Sequence, residues 1–150
     1  ITELTPSIDG YFAQICRTLV IGKATDTQKK AFNVYYEAME AGIAAVRPGV
    51  KASDLAKALN DVFRAQGLGK YVTSEYTRVR GHGLGSVSSI PGDIGTDNDM
   101  VLEEGMTFVM HPNQFLPGGG YMMVGEPVVI TRTCAEPLTT RFSRLTSIPV

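Results

Sequence analysis

Residues 80–85 read RGHGLG, and residues 101–112 read VLEEGMTFVMHP. In the first stretch, alternating glycines surround His82, so the backbone can approach its neighbours closely and the imidazole stands clear of other side chains. The glycine spacing is not that of a dinucleotide-binding loop, and no helical pattern follows it. We therefore interpret His82 as a metal ligand or an acid/base group, and the alternative is a surface histidine in a glycine-rich turn.

His111 lies at the end of the second stretch, where residues 106–112 predict a β-strand. Alternation along the strand places His111 on the same face as Val109. Because Pro112 ends the strand, His111 is expected at the rim of a sheet, and a hydrogen-bonded structural histidine is the alternative interpretation. The chain contains two histidines in all. We predict that His82 and His111 share one site, as its catalytic residues.

The first 70 residues predict two strands followed by two helices. Residues 1–22 are β-prone on both sides of a turn at residues 6–10. Thr25 or Asp26 offers an N-cap for a helix that stops near residues 47–49, and SDLAKALNDVFRAQG at 53–67 predicts a second helix. Apolar residues recur at helical spacing in both: Phe32, Tyr35, Met39, Ile43 and Val46, then Leu55, Leu59, Val62 and Phe63.

The second half of the chain predicts strands and loops. Short β-prone stretches at 72–80, 106–112 and 120–133 are separated by glycines and turn formers. This order predicts an α+β domain in which helices pack on one face of a curved, mainly antiparallel sheet.

Composition excludes two classes of partner. The formal net charge is −1 and the chain has no Lys/Arg cluster, so we expect no binding to nucleic acid. The apolar runs are far shorter than the ~20 residues of a membrane span, so we expect no membrane insertion. Cys16 and Cys134 lack metal-like spacing and indicate free thiols in a reducing compartment, the cytoplasm; a disulfide between them is the alternative.

Several polar residues lie within otherwise apolar strands and are candidates for the site. Gln14, Arg17 and Glu126 are predicted substrate-binding residues, although polar strand residues commonly face solvent. For Cys16 we consider a different role: the adjacent Arg17 could lower the pKa of the Cys16 thiol and make the sulfur a nucleophile. A buried, unreactive cysteine is the favoured interpretation.

The ordered set of motifs resembles the superfamily of creatinase, Xaa-Pro peptidases such as prolidase, and methionine aminopeptidase. The resemblance extends over nearly the whole chain: GYFAQICRTLVIG at 10–22, AVRPGVKASDLAKAL at 45–59, GHGLG at 81–85, VLEEGMTF at 101–108, GEPVVIT at 125–131 and EPLTT at 136–140. It implies the pita-bread fold. We expect residues 1–150 to form a single domain, the C-terminal part of a pita-bread domain whose N-terminal portion is absent from this chain.

The resemblance also implies a site whose residues depart from the family pattern. Typical metallopeptidases of the superfamily bind two metal ions through two aspartates, one histidine and two glutamates. By motif, the corresponding positions are Glu3, Gln14, His82, His111 and Gly125. The histidine that assists peptide hydrolysis in these relatives corresponds to a position near Ser89. Cys16 and His111 replace the glutamates with which creatinase-like enzymes hold a guanidinium substrate.

These departures argue against a dinuclear metal centre, which needs bridging carboxylates. Gln14 is neutral, Gly125 has no side chain, and Glu126 is one strand residue away, which directs it to the opposite face unless a bulge intervenes. We expect no cofactor. The alternative is a single divalent ion held by Glu3, His82 and His111.

The resemblance implies a divergent hydrolase that acts on a C–N bond of a small molecule or short peptide. His82 and His111 would act beside Gln14, Arg17 and Glu126, and the arginine favours an anionic substrate. The alternatives are a non-catalytic pseudoenzyme that keeps the fold for binding or assembly, and an aminopeptidase or dipeptidase with one metal ion. Because the chain begins in a strand at Ile1, we expect an upstream segment or a homo-oligomer to cover the sheet surface.

Overall fold

The computed structural model describes residues 1–140 and 143–150, and two helices dominate its first half. Helix α1 covers Asp26–Ala45, and α2 covers Ala52–Ala65, followed by a 3-10 turn at Gly69–Tyr71. Thr25 caps α1 through a reciprocal capping box with Gln28, which confirms the predicted N-cap. Helix α2 ends before Gly67, whose φ of +73° suits the left-handed conformation expected at a glycine stop.

The strands of the described residues are short and lie in several small sheets. Their bounds are β1 Thr2–Leu4, β2 Ser7–Ile8, β3 Tyr11–Phe12, β4 Ile15–Arg17, β5 Leu19–Ile21, β6 Gly81–Leu84, β7 Thr107–Met110, β8 Asn113–Leu116, β9 Gly120–Met123, β10 Glu126–Ile130, β11 Ala135–Pro137 and β12 Thr146–Ile148.

The predicted strand pair at the start of the chain is present, but in shorter pieces. Strands β1 and β4 pair antiparallel, with Glu3 opposite Cys16, and β2 and β3 form a hairpin between them. Asp9 and Gly10, with φ of 52° and 83°, make the tight turn. The pair is interrupted because Pro6 lacks the N–H that a continuous ladder requires.

The central sheet has the antiparallel order β11-β10-β7-β6 and two different faces. Its helix face carries Phe108, Met110 and Val128, which pack in the core with the helices. In that core the rings of Tyr35 and Phe63 pack edge-on at 5.6 Å. The opposite face, which carries His82, Val109 and His111, is called the histidine face below.

Two details differ from the sequence prediction. Residues 72–80 form no strand; the amides of Tyr76 and Thr77 both donate to the Thr73 carbonyl, and the Tyr76 ring packs on Tyr71, so a turn replaces extended pairing. In addition, β8 and β9 form an unpredicted hairpin beyond Pro112, around a turn in which Gly118 has a φ of 74°.

None of the helices in the described ranges is long and apolar enough to cross a membrane.

Candidate active site

The structure brings His82 and His111 together. His82 lies on β6 directly opposite Val109 of β7, and the amide of His111 continues the pairing by donating to the Arg80 carbonyl at 3.1 Å. Because paired residues point to the same side of a sheet, both imidazoles lie on the histidine face. Their ring centroids are 4.9 Å apart, with the planes inclined at 68°. The predicted convergence of the two rings is therefore confirmed, while their chemical roles remain predictions.

The glycine motif allows β6 to lie between two closely spaced chain segments. A Cβ atom on Gly81 would overlap the carbonyl oxygen of Val109, and one on Gly83 would overlap the backbone of Ile90 and Pro91. On its outer edge β6 is held by residues 92–94, through bonds of 2.8 Å from the Gly83 amide to Gly92 and from the Ile94 amide to Gly81. Glycine at these two positions is required by close approach of backbone.

A single backbone contact defines which nitrogen of His82 carries a proton. Nδ1 lies 2.9 Å from the carbonyl oxygen of Gly83 and 3.5 Å from the Ser88 hydroxyl. Because a carbonyl can only accept, the first contact requires the proton on Nδ1. In the neutral ring, Nε2 then carries a lone pair that can accept a proton.

His111 is a neutral imidazole with two unused hydrogen-bonding atoms. The residue is 5% exposed, and neither ring nitrogen has a partner within residues 1–140 and 143–150. Burial, and then the neighbouring His82, lower its pKa to about 4. At neutral pH the ring therefore presents one N–H donor and one acceptor, and leaving both unpaired costs free energy. This arrangement suits a polar ligand that pairs with the ring.

Cys16, Gln14 and Glu3 extend the histidine face across β4 and β1. The Gln14 amide lies 3.6 Å from the Cys16 sulfur, and Glu3 pairs with Cys16 across the two strands. Cys16 and Gly125 exchange backbone hydrogen bonds of 3.2 and 3.0 Å, which join this pair to the central sheet. Gln14 is buried and Glu3 is exposed.

Arg17 and Glu126 were predicted to lie beside the histidines, but the structure places them elsewhere. Glu126 is opposite Met110, on the helix face, and alternation turns Arg17 away from Cys16. The two side chains form an ion pair of 2.6 Å, and the hydroxyls of Thr139 and Ser143 also donate to the carboxylate. The expected preference for an anionic substrate depended on Arg17, so it loses that support.

The hypothesis of a nucleophilic Cys16 is wrong. Burial raises the pKa of the Cys16 thiol to about 12, and the opposing influence of Arg17 is smaller. The thiol therefore stays protonated at neutral pH, and a protonated thiol is a poor nucleophile.

We expect iodoacetamide to distinguish the two free cysteines under native conditions at mildly alkaline pH. Cys134 is exposed and should be alkylated, whereas the buried Cys16 should react only after unfolding. Peptide mass spectrometry of the full-length protein would locate the label. Rapid native labelling of Cys16 would contradict this account of the site.

Sequence reasoning missed Tyr121 and Asp93. Burial raises the pKa of Tyr121, and the negative charge of Glu3 acts in the same direction, which associates its phenol with this face. Asp93 forms an isolated β-bridge opposite His82, and its negative charge partly opposes the lowering of the His111 pKa. Both lie in segments without a motif, and the signal that could have found Tyr121 is the alternation of residues 120–123.

The donor set does not fit a two-metal centre. The Cβ of any side chain at Gly125 would lie 2.8 Å from the His111 Cβ and 3.0 Å from the Cys16 sulfur, so a bridging carboxylate has no room. In the part of the chain that the structure describes, three or more His, Cys, Asp or Glu side chains nowhere assemble as metal ligands. Glu3, His82 and His111, which were considered for a single ion, therefore do not form a ready three-ligand group.

The sequence matches the model of metallopeptidase family M24 over residues 1–132. The Xaa-Pro dipeptidase of Lactobacillus helveticus is 33% identical over 143 residues, which cover 95% of this chain and 38% of that protein. The Xaa-Pro dipeptidase of Pyrococcus furiosus is 27% identical over 93% of this chain and 39% of that protein. The chain thus spans well under half the length of these curated relatives.

Solved structures give the same result for the fold. The dipeptidase PepE from Mycobacterium ulcerans superimposes with a TM-score of 0.88 at 28% identity, over 99% of this chain and 39% of that one. Methionine aminopeptidase from Rickettsia prowazekii gives a TM-score of 0.67 at 22% identity, over 90% of this chain and 61% of that one, a likeness of fold alone. The predicted α+β pita-bread fold is confirmed, as is the expectation that this chain corresponds to part of it.

Proposed function

Because the chain belongs to metallopeptidase family M24, we propose that it forms the site of a divergent hydrolase, which cleaves a C–N bond of a small molecule or short peptide without a dinuclear metal centre. The observation that carries the proposal is the pair of imidazoles 4.9 Å apart on the histidine face. One ring has a free lone pair at Nε2, and the other has a buried N–H without a partner in the described chain. The relatives of this chain include Xaa-Pro dipeptidases.

The two rings supply complementary halves of an amide hydrolysis. Nε2 of His82 accepts a proton from water as the oxygen attacks the carbonyl carbon, and returns it to the nitrogen as the C–N bond breaks. The neutral His111 donates its N–H to the carbonyl oxygen, on which negative charge develops. A neutral imidazole can serve as such a donor in other enzymes. No step is assigned to a metal ion, because the described donor groups fit no dinuclear centre and form no ready three-ligand group.

The charges near the histidines favour a neutral or cationic substrate. Glu3 forms no ion pair with a described residue, Asp93 lies 3.9 Å from the exposed Arg78, and Arg17 is paired with Glu126 elsewhere. Carboxylates attract an ammonium group and repel an anion. Gln14 can still contribute a neutral amide for hydrogen bonding. A short peptide with a free amino terminus, or a small amide, meets these conditions.

The full-length protein should hydrolyse members of a panel of Xaa-Pro dipeptides, other dipeptides and small amides, and a metal chelator should leave the rate unchanged. Metal content is measured on the same sample by mass spectrometry. Stoichiometric metal together with loss of activity on chelation would contradict the proposal. It would instead support the alternative of a dipeptidase with one ion.

A non-catalytic descendant of the family is the second candidate. The specific observation in its favour is that a side chain at Gly125 would collide with His111 and Cys16, which leaves no room there for a metal-binding carboxylate. Such a protein would bind peptides or amides without cleaving them. Saturable binding in calorimetry, with no turnover of any member of the panel, would distinguish it from the hydrolase.

The proposal also concerns the setting of the protein. Both described cysteines are free thiols, which supports a reducing compartment, and we propose the cytoplasm. We further propose a homo-oligomer, or cover by an upstream segment of the same protein, because apolar side chains such as Leu4 and Leu138 are more than half exposed.

A further inference from the structure

Arg80 is a buried cation without a counter-charge. The residue is 2% exposed, and its Nη1 and Nη2 atoms have no hydrogen-bond partner in the described part of the chain. No carboxylate of residues 1–140 or 143–150 forms an ion pair with it. Burial lowers its pKa to about 10, so the guanidinium is still protonated at neutral pH. A buried charge is normally paired, because desolvation without compensation is costly.

The contacts that Arg80 does make leave the outer fork of the guanidinium free. Its Nε atom donates to the Asn60 side chain at 2.6 Å, and its Cζ atom lies over the Phe63 ring, 4.6 Å from the centroid. The ring provides a cation–π contact, but Nη1 and Nη2 remain without hydrogen-bond partners among the described residues. The two terminal nitrogens therefore retain the geometry that binds two oxygens side by side.

Arg80 also lines a cavity of about 240 Å³ between α2 and the irregular segment 72–79. Asn60, Ile94 and Arg80 belong to the buried part of its lining. Three hydroxyl groups and a second arginine are also in the lining: Ser74, Thr77, Thr96 and Arg78. The side chain of Arg78 is 90% exposed, and Asp97 is exposed in the same wall.

We propose that this cavity binds a small oxyanion, a carboxylate or a phosphate, on the fork of Arg80. The ligand supplies the missing counter-charge, and the hydroxyl of Ser74 can donate a further hydrogen bond. Segment 72–79 forms the outer wall of the cavity. The inference does not depend on the hydrolysis proposed for the histidine face.

The backbone of Arg80 links this cavity to the histidines. Its amide donates to the Ile94 carbonyl at 2.7 Å, and its carbonyl accepts from the His111 amide at 3.1 Å. It also directly precedes Gly81 and His82 in the chain. An anion that fixes the Arg80 side chain therefore acts on the start of β6, which carries His82, and on the backbone that holds His111.

Titration calorimetry of the full-length protein with inorganic phosphate and with acetate, at constant ionic strength in chloride, tests the proposal. Wild-type protein should bind at least one of them saturably, and which one binds more tightly distinguishes a phosphate from a carboxylate ligand. Arg80→Met should weaken binding by about tenfold or more, because it removes charge-assisted hydrogen bonds. Arg80→Lys keeps the charge but loses the fork, so it should give intermediate affinity.

The matched control is Arg132→Met, because Arg132 is exposed and does not line the cavity. The affinity of this variant for the anion should equal that of the wild type. Absence of saturable binding by wild-type protein up to about 50 mM of either anion would overturn the proposal. It would mean that buried water satisfies the guanidinium. Undiminished binding by Arg80→Lys and Arg80→Met would overturn it equally, and if Arg80→Met does not fold, the wild-type and Arg80→Lys titrations decide.

Discussion

Replacing His82 by alanine should lower kcat/KM for the hydrolysed substrate by about 10²–10⁴-fold, the usual contribution of a general base. The loss follows from removal of Nε2, the one atom of the ring left as a proton acceptor by the contact of Nδ1 with Gly83. The free energy of unfolding should change by only about 1 kcal/mol, because the half-buried ring gives up a single hydrogen bond. Steady-state kinetics and urea unfolding of the same preparation measure the two quantities.

Two comparisons separate a catalytic role of His82 from a structural one. Added imidazole should restore part of the activity of His82→Ala, since it can occupy the vacated space and accept the proton. Ser88→Ala removes a side-chain contact of the ring, of 3.5 Å, and should keep kcat/KM within about threefold of the wild type. Full activity of His82→Ala would refute the proposed chemistry.

Replacing Gly83 by alanine should lower the free energy of unfolding by about 3 kcal/mol. The added methyl group would overlap the backbone of Ile90 and Pro91, and backbone cannot move aside as a flexible side chain can. The segment that includes Gly92 would have to separate from β6, with loss of the Gly83–Gly92 hydrogen bond. Urea unfolding monitored by circular dichroism measures the change.

Gly85 provides a matched control within the same motif. Beyond its own chain neighbours, no described atom lies within 4 Å of a Cβ built on it, so Gly85→Ala should leave stability within about 0.5 kcal/mol of the wild type. Equal stability of the two variants would show that close packing of β6 is not what the glycines provide.

The resemblance implied the pita-bread fold, whereas the helix ends and tight turns were predictable from neighbouring residues alone. Thr25 and Gln28 form a capping box within one turn, Asp9 and Gly10 make a tight turn, and Gly67 ends a helix, so local chemistry suffices for each. Alternation along one strand was also enough to place His111 on the face that carries Val109. Residues 72–80 were misassigned because the Tyr71–Tyr76 contact and the turn bonds to Thr73 outweigh their weak β-propensity.

The site was less accessible from sequence, because it depends on pairing between distant segments. Arg17 and Glu126 are 109 residues apart, and only the register of β4 beside β10 reveals that they neutralise each other. The same register buries Cys16, and this reverses the direction of the thiol pKa shift expected from the adjacent arginine. Arg80 belongs to the most informative motif, but the sequence does not show that it lacks an ion-pair partner. That fact requires the three-dimensional positions of the neighbouring carboxylates.

Gly125 imposes an order on any attempt to engineer a carboxylate-rich centre into this scaffold. An acidic side chain cannot be introduced there first, because its Cβ would collide with His111 and Cys16. One or both of those residues would have to become smaller beforehand, and each such intermediate would lose a side chain of the existing site. The effect of an acidic residue at position 125 therefore depends strongly on the residues at positions 16 and 111. Libraries that vary position 125 alone should yield few folded acidic variants.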